Sequence, residues 1–214
     1  MPLPPQTPPT RRSAGAPARA QAAILSATEQ LLNERPLHQV SVGDIIAAAR
    51  ISRTSFYAHF ASKTAVIAAC LRGVMNEVVD AVAPAQAGSS RGGDGDAAIR
   101  LGLERWLGVC RRHGALLRAV SEEWPHDAEL RALWWEMLGA MASGTARLVR
   151  AARSHGRAPA GADPAALAAC LMWGYERVLH VALVGDAVGL SGPEAIVEPL
   201  TQMMVGGLFG RPLD

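Results

Sequence analysis

The chain has 214 residues, half of them apolar, with a formal net charge of +2 and a slightly positive mean hydropathy. That is too apolar for a disordered polypeptide and long enough for a small domain beside a larger one, and so small a charge does not by itself mark a nucleic-acid binder. Three cysteines (Cys70, Cys110, Cys170), odd in number and widely spaced, with no C-x-x-C and no paired histidines, exclude a disulfide framework and a zinc cluster and read as reduced core residues of a cytosolic protein.

Alanine, leucine and arginine dominate and strand-type alternation is hard to find, so an all-α architecture is expected. Met1 to Pro17 is rich in proline and carries Arg11 and Arg12, which predicts a disordered basic tail. It has no apolar h-region, so no signal peptide is expected and the cytoplasm is the expected location. Ala18 to Glu34 reads as the first helix, with Ile24, Leu25, Thr28, Leu31 and Leu32 as its buried stripe. Arg35-Pro36-Leu37 ends it, because proline disfavours a helical residue before it.

Two short helices follow. Ser41 is placed to cap the first, and Val42, Ile45, Ile46 and Ala49 fall on one apolar stripe. Ala48-Ala49-Arg50-Ile51 is the turn, and Ser52 caps the next helix, which runs to Phe60 with Phe56 and Phe60 inward. Its opposite face carries Arg53, Thr54, Tyr57 and His59. Ser62 then caps a helix from Lys63 to Val82. A polar face on a short crossed helix fits a major groove: Arg53 and Thr54 can reach base edges, and Tyr57, His59 and Lys63 can hold phosphates. Charge agrees, since residues 1–63 carry seven Lys/Arg against three acids and the rest 14 against 16. Candidate DNA-binding residues are therefore Ser41, Ser52, Arg53, Thr54, Tyr57, His59 and Lys63.

Pro84 and the run Gly88 to Gly95 read as a flexible linker; it lacks G-K-[ST] and a preceding strand, so it is no phosphate loop. Helices are expected over Asp96 to Arg112, Gly114 to Glu123, Asp127 to about His155, an eighth capped by Asp163 with Pro164 at its first position, and Glu194 to Phe209. Gly156 to Gly161 and Gly189 to Pro193 are loops. Ala165 to Val184 is long enough to span a bilayer, yet Glu176, Arg177 and His180 in its second half argue for a buried bundle helix. Trp106, Trp134, Trp135, Trp173, Tyr175 and several methionines lie on these helices. A bundle core accounts for them without a ligand; an apolar tunnel with a few polar groups at one end is the alternative.

No G-x-S-x-G, H-E-x-x-H or D-x-D is present, and Glu122 and Glu123 point to different helix faces. No catalytic set, cofactor motif or metal site is expected. His113, His126 and His155 sit at loops or helix ends, and His180 is a candidate polar contact for a ligand.

The block T-S-F-Y-A-H-F-x-S-K resembles the helix-turn-helix signature of the TetR family of transcriptional regulators, over roughly Ala22 to Val74. Outside that block, IL-x-ATEQLL near the start, HGALLRAV and Glu176-Arg177 are similar to the branch of that family that controls ethionamide activation in mycobacteria. The resemblance implies an all-α homodimer with a helix-turn-helix domain over 18–64 and a ligand-binding and dimerisation domain over 65–214. It implies a near-palindromic double-stranded DNA operator, read by two helices about 34–36 Å apart or a multiple of that. It also implies release when a small hydrophobic effector enters the larger domain, and favours the tunnel. Carried over residue by residue, the lining comprises Trp106, Cys110, Trp134, Leu138, Met141, Thr145, Met172, Tyr175, Glu176, Leu179 and Met204. Met172 and Tyr175 stand where that branch has two ligand-binding asparagines. Leu167, Leu171, Val178, Val181 and Leu183 are expected at the dimer contact, with Gly206-Gly207 allowing close helix approach. One departure is Arg50, where the family's turn most often has glycine; a positive φ there would cost about 1 kcal/mol.

Overall fold

A computed structural model describes residues 15–90, 95–184 and 195–210. Most of the expected tail and the Gly189 to Pro193 loop lie outside the described residues, which hold nine α-helices, one 3-10 turn and no strand. The helices are α1 Gly15–Glu34, α2 Val42–Ala49, α3 Arg53–His59, α4 Lys63–Ser90, α5 Gly95–Arg112, α6 Gly114–Glu123, α7 Ala128–Ser154, α8 Pro164–Val184 and α9 Val197–Phe209, with the 3-10 turn at Leu37–Gln39. The chain forms two compact units that divide between Ala69 and Cys70.

In the first unit the stripe Ile24, Leu31 and Leu32 of α1 meets Leu37, Val40, Ile45, Phe56, Phe60, Val66 and Ile67, all buried. Thr28, fully buried, satisfies its hydroxyl by donating to Ile24 O at 2.8 Å. Local chemistry starts the short helices. Ser41 and Asp44 form a reciprocal capping box on α2, in which Asp44 Oδ2 accepts from Ser41 N–H at 2.8 Å and Asp44 N–H donates to Ser41 Oγ at 3.1 Å. The Ser41 hydroxyl and the Ser41 N–H, both donating to Asp44 Oδ2, with the Arg35 guanidinium 3.2 Å away, hold the Asp44 carboxyl below its ordinary value of 3.8. At the other end Arg50 takes φ 52°, ψ 45°. Its N–H bonds Ala47 O at 3.2 Å and Ile51 N–H bonds Ile46 O at 3.3 Å, the paired carbonyl capture of a left-handed helix end.

In the second unit α7 packs along α8, α5 along α9, and α6 and α9 against α8. Leu103, Leu107, Val109, Leu116, Val120, Leu130, Val149, Leu200 and Leu208 form the core. Asp127 accepts from Glu129 and Leu130 N–H groups to start α7, and Asp163 accepts from Ala165 and Ala166 to start α8. Glu77 on α4 pairs with Arg112 and with His113 Nε2 at 2.9 Å. Among the described residues no helix is long and apolar enough to cross a membrane.

Several expectations need correction. Helix α1 starts at Gly15, three residues earlier than expected. Helix α4 runs through Pro84 to Ser90, where a linker was expected, because the proline removes one hydrogen bond while the alanine-rich flank favours helix. Helix α9 begins at Val197, after a turn at Ala195 and Ile196. Leu171 is buried in its own unit, and Leu183 Cδ2 lies 3.4 Å from where a Cβ on Gly114 would stand. A Cβ on Gly207 would meet Leu171 Cδ2 at 3.4 Å, so that glycine lets α9 approach α8 within one chain. Cys170 is exposed rather than a core residue.

Candidate functional site

Two sites follow from these elements, one in each unit. On α3, Ser52 Oγ accepts from Ser55 N–H at 3.0 Å and opens the helix. Phe56, with no exposed surface, anchors it against the core, and its ring meets Tyr57 edge-on at 5.3 Å and Phe60 at 6.3 Å. That anchoring turns the polar side outward. Arg53 and Thr54 are exposed, Tyr57 is 51% exposed, and His59 is half-buried at the helix's last turn. Arg53, Thr54 and Tyr57 share one surface at i, i+1 and i+4.

The two flanking residues carry a structural role as well. Ser41 Oγ donates to Asp44 Oδ2 at 2.6 Å and accepts from Asp44 N–H, so its hydroxyl serves the capping box. Lys63 Nζ donates to Leu37 O at 2.8 Å and Val40 O at 2.9 Å. Two of its three donors therefore close the chain segment before α2, leaving one for a phosphate.

The second unit holds a cavity of about 440 Å³. It collects all eleven candidate lining residues: Trp106 and Cys110 from α5, Trp134, Leu138, Met141 and Thr145 from α7, Met172, Tyr175, Glu176 and Leu179 from α8, and Met204 from α9. It also takes in residues that sequence reasoning missed as lining: Val74, Met75 and Val78 of α4, and Arg118 and Ser121 of α6. Arg118 lay unremarked inside the block HGALLRAV. The one available signal was the i, i+3 spacing of Arg118 and Ser121, which puts both on one face of α6.

The wall is apolar with a short polar stretch. Burial pushes the Cys110 thiol up to about 12, so it stays neutral. Burial likewise raises the Tyr175 phenol, and its hydroxyl donates to Leu200 O at 2.8 Å, so it braces α9 instead of facing a ligand. Ser121 Oγ donates to Glu176 Oε1 at 2.8 Å, both residues being buried. Arg177 Nη2 stands 3.8 Å from Glu176 Oε2, beyond hydrogen-bond reach, with its own side chain mostly in solvent. Trp134 Nε1 and His180 Nδ1 are buried and unbonded, and both residues line the cavity. Among the described residues no group of acidic, histidine or cysteine side chains could hold a metal ion.

Residues 24–70 match the family described as "Bacterial regulatory proteins, tetR family", and residues 99–210 match "Transcriptional regulator EthR, C-terminal domain". The chain is similar to the HTH-type transcriptional regulator EthR of Mycolicibacterium smegmatis, 31% identical over 206 residues, covering 96% of this chain and 94% of that protein. It is similar to the EthR of Mycobacterium tuberculosis at 30% identity over 190 residues, covering 88% and 87%. A crystal structure of a TetR-family transcriptional regulator from Syntrophomonas wolfei superposes with a TM-score of 0.74 at 14% identity, over 88% of this chain and 94% of that one, which shows the shared fold.

Proposed function

Because the chain belongs to the TetR family of DNA-binding transcriptional regulators, with a C-terminal domain of the EthR type, we propose that it is a ligand-responsive repressor: a homodimer that binds a near-palindromic operator and leaves it when a small, largely apolar effector enters the cavity. On α3, Arg53 and Thr54 read base edges while Tyr57, His59 and the free donor of Lys63 hold phosphates. The observation that carries the reading is the cavity itself. It is lined by six helices, and one of them is α4, whose first residue is Lys63 and whose Val74, Met75 and Val78 reach the cavity. Occupancy of that space favours one placement of α4 over another, and so one spacing of the two DNA-reading helices.

Dimerisation is proposed at α8 and α9, supported by exposed apolar residues there, Trp173 at 40% and Met203 at 45%. Sedimentation of full-length protein should give a dimer that Trp173→Arg weakens. For DNA, a gel-shift titration against the fragment upstream of the gene should show binding that weakens steeply with salt. Arg53→Ala should weaken it further, and apolar small molecules should release it. Binding that is absent at low salt, or indifferent to Arg53 and Tyr57 substitution, would overturn the reading.

A further inference from the structure

The polar stretch of the cavity wall specifies the head group of the ligand. Resting on the reading of this cavity as an effector site, we infer that the effector is an uncharged amphiphile whose head both accepts and donates a hydrogen bond, a carboxamide on an apolar tail. Arg118 and Ser121 lie one turn apart on α6, Glu176 and His180 one turn apart on α8, and the Ser121–Glu176 hydrogen bond of 2.8 Å fastens the two pairs together. The wall therefore presents both signs of charge at one place. Glu176 has one oxygen satisfied by Ser121, while the other has only a guanidinium at 3.8 Å. Arg118 is half-buried and, among the described residues, makes no hydrogen bond or ion pair. Trp134 lines the same space, and its buried indole N–H donates to nothing.

Each candidate head meets this wall differently. A hydrocarbon leaves the unbonded groups desolvated, which is unfavourable for every one of them. A carboxylate suits Arg118 but stands against Glu176, and an alkylammonium suits Glu176 but stands against Arg118. A carboxamide offers its oxygen to Arg118 and its N–H to Glu176, with no net charge to desolvate. The rest of the molecule meets methionines 75, 137, 141, 172 and 204, whose unbranched side chains adapt to tails of different shape.

The test uses a tail-matched series on the full chain: decanamide, methyl decanoate, decanoate and decylammonium, with affinity read by calorimetry. Decanamide should bind best, about tenfold or more tighter than the ester, which lacks the donor, and tighter than both ions. Arg118→Met should weaken decanoate and strengthen decylammonium, and Glu176→Gln should do the reverse. Circular dichroism on each variant verifies the fold, and the ranking on unaltered protein stands without the variants. Equal affinity across the series overturns the head-group inference and leaves the effector reading intact. A clear preference for either ion overturns it too. If none of the four binds, the effector reading itself fails.

Discussion

Lys63 combines a proposed DNA contact with a fold contact, and replacing it separates the two. Lys63→Met keeps most of the aliphatic stem but removes the ammonium that donates to Leu37 O at 2.8 Å and Val40 O at 2.9 Å. Those acceptors belong to residues only 5% and 1% exposed, so water replaces the lost donors poorly. A hydrogen bond to a charged group is worth about 1.5–3 kcal/mol. Two bonds from one partly exposed ammonium are not additive, so the expected loss for the first unit is about 2–3 kcal/mol. At roughly 4–8 °C per kcal/mol for a unit of this size, that is a fall of roughly 10–20 °C in its melting temperature. Thermal melts followed by circular dichroism measure it, with Tyr57→Phe as control. Tyr57 is 51% exposed, so its variant should stay within about 0.5 kcal/mol of the parent. A Lys63→Met protein that melts with the parent would refute the reasoning and return Lys63 to a purely surface role. If the variant is destabilised as expected, its DNA affinity has meaning only well below its own transition.

Arg50→Gly should stabilise the first unit by about 0.5–1 kcal/mol, since the left-handed conformation costs a non-glycine about 1–2 kcal/mol and glycine's unfolded-state entropy returns part of it; a lowered denaturation midpoint would show that the Arg50 side chain contributes more than its backbone costs. Tyr175→Phe should destabilise the second unit by about 1–2 kcal/mol by leaving Leu200 O buried without its donor, read from urea unfolding. Asp44 is held below 3.8 in the fold, so its contribution is present above the unfolded value and is lost as pH falls through the folded one. Asp44→Asn should therefore flatten the acid end of the stability profile below about pH 4, and an unchanged profile there would remove Asp44 from acid unfolding.

What could be read from the sequence was what acts over a few residues. Ser41, Ser52, Ser62, Asp127 and Asp163 each cap a helix through a group two or three residues away, so the short helices and the starts of α7 and α8 were visible in advance. Arg50 stands apart from them, since only the family's glycine raised a positive φ there and the φ of 52° is the structure's finding. The contacts of Lys63 span 26 and 23 residues, and nothing in the local pattern announces them. The cavity was harder still. Trp134, Leu138, Met141 and Thr145 recur at three- and four-residue spacing, as core residues do, and periodicity does not distinguish a wall that faces a void from one that faces a side chain. The grouping of the eleven lining residues came from family resemblance. Arg118 fell outside it because a lone arginine on an amphipathic helix reads as solvated surface until the helix is packed.

A cavity that admits an effector does not by itself release DNA; the effector must bind the two arrangements of the protein unequally. A tenfold drop in operator affinity requires about 1.4 kcal/mol of difference. Burying two more methylene groups in one arrangement, at about 0.8 kcal/mol each, supplies that. Val74, Met75 and Val78 line the cavity from α4, so a displacement of α4 by a fraction of a turn would change a ligand's contact on that scale. The difference also has to appear in reverse. Whatever factor the effector takes from operator affinity, saturating operator must take from effector affinity, because the coupling free energy is one quantity measured from two ends. Titrating decanamide into free and operator-saturated protein measures it. Equal affinities in the two titrations, alongside a real loss of DNA binding, would mean that the ligand displaces DNA from some site other than this cavity.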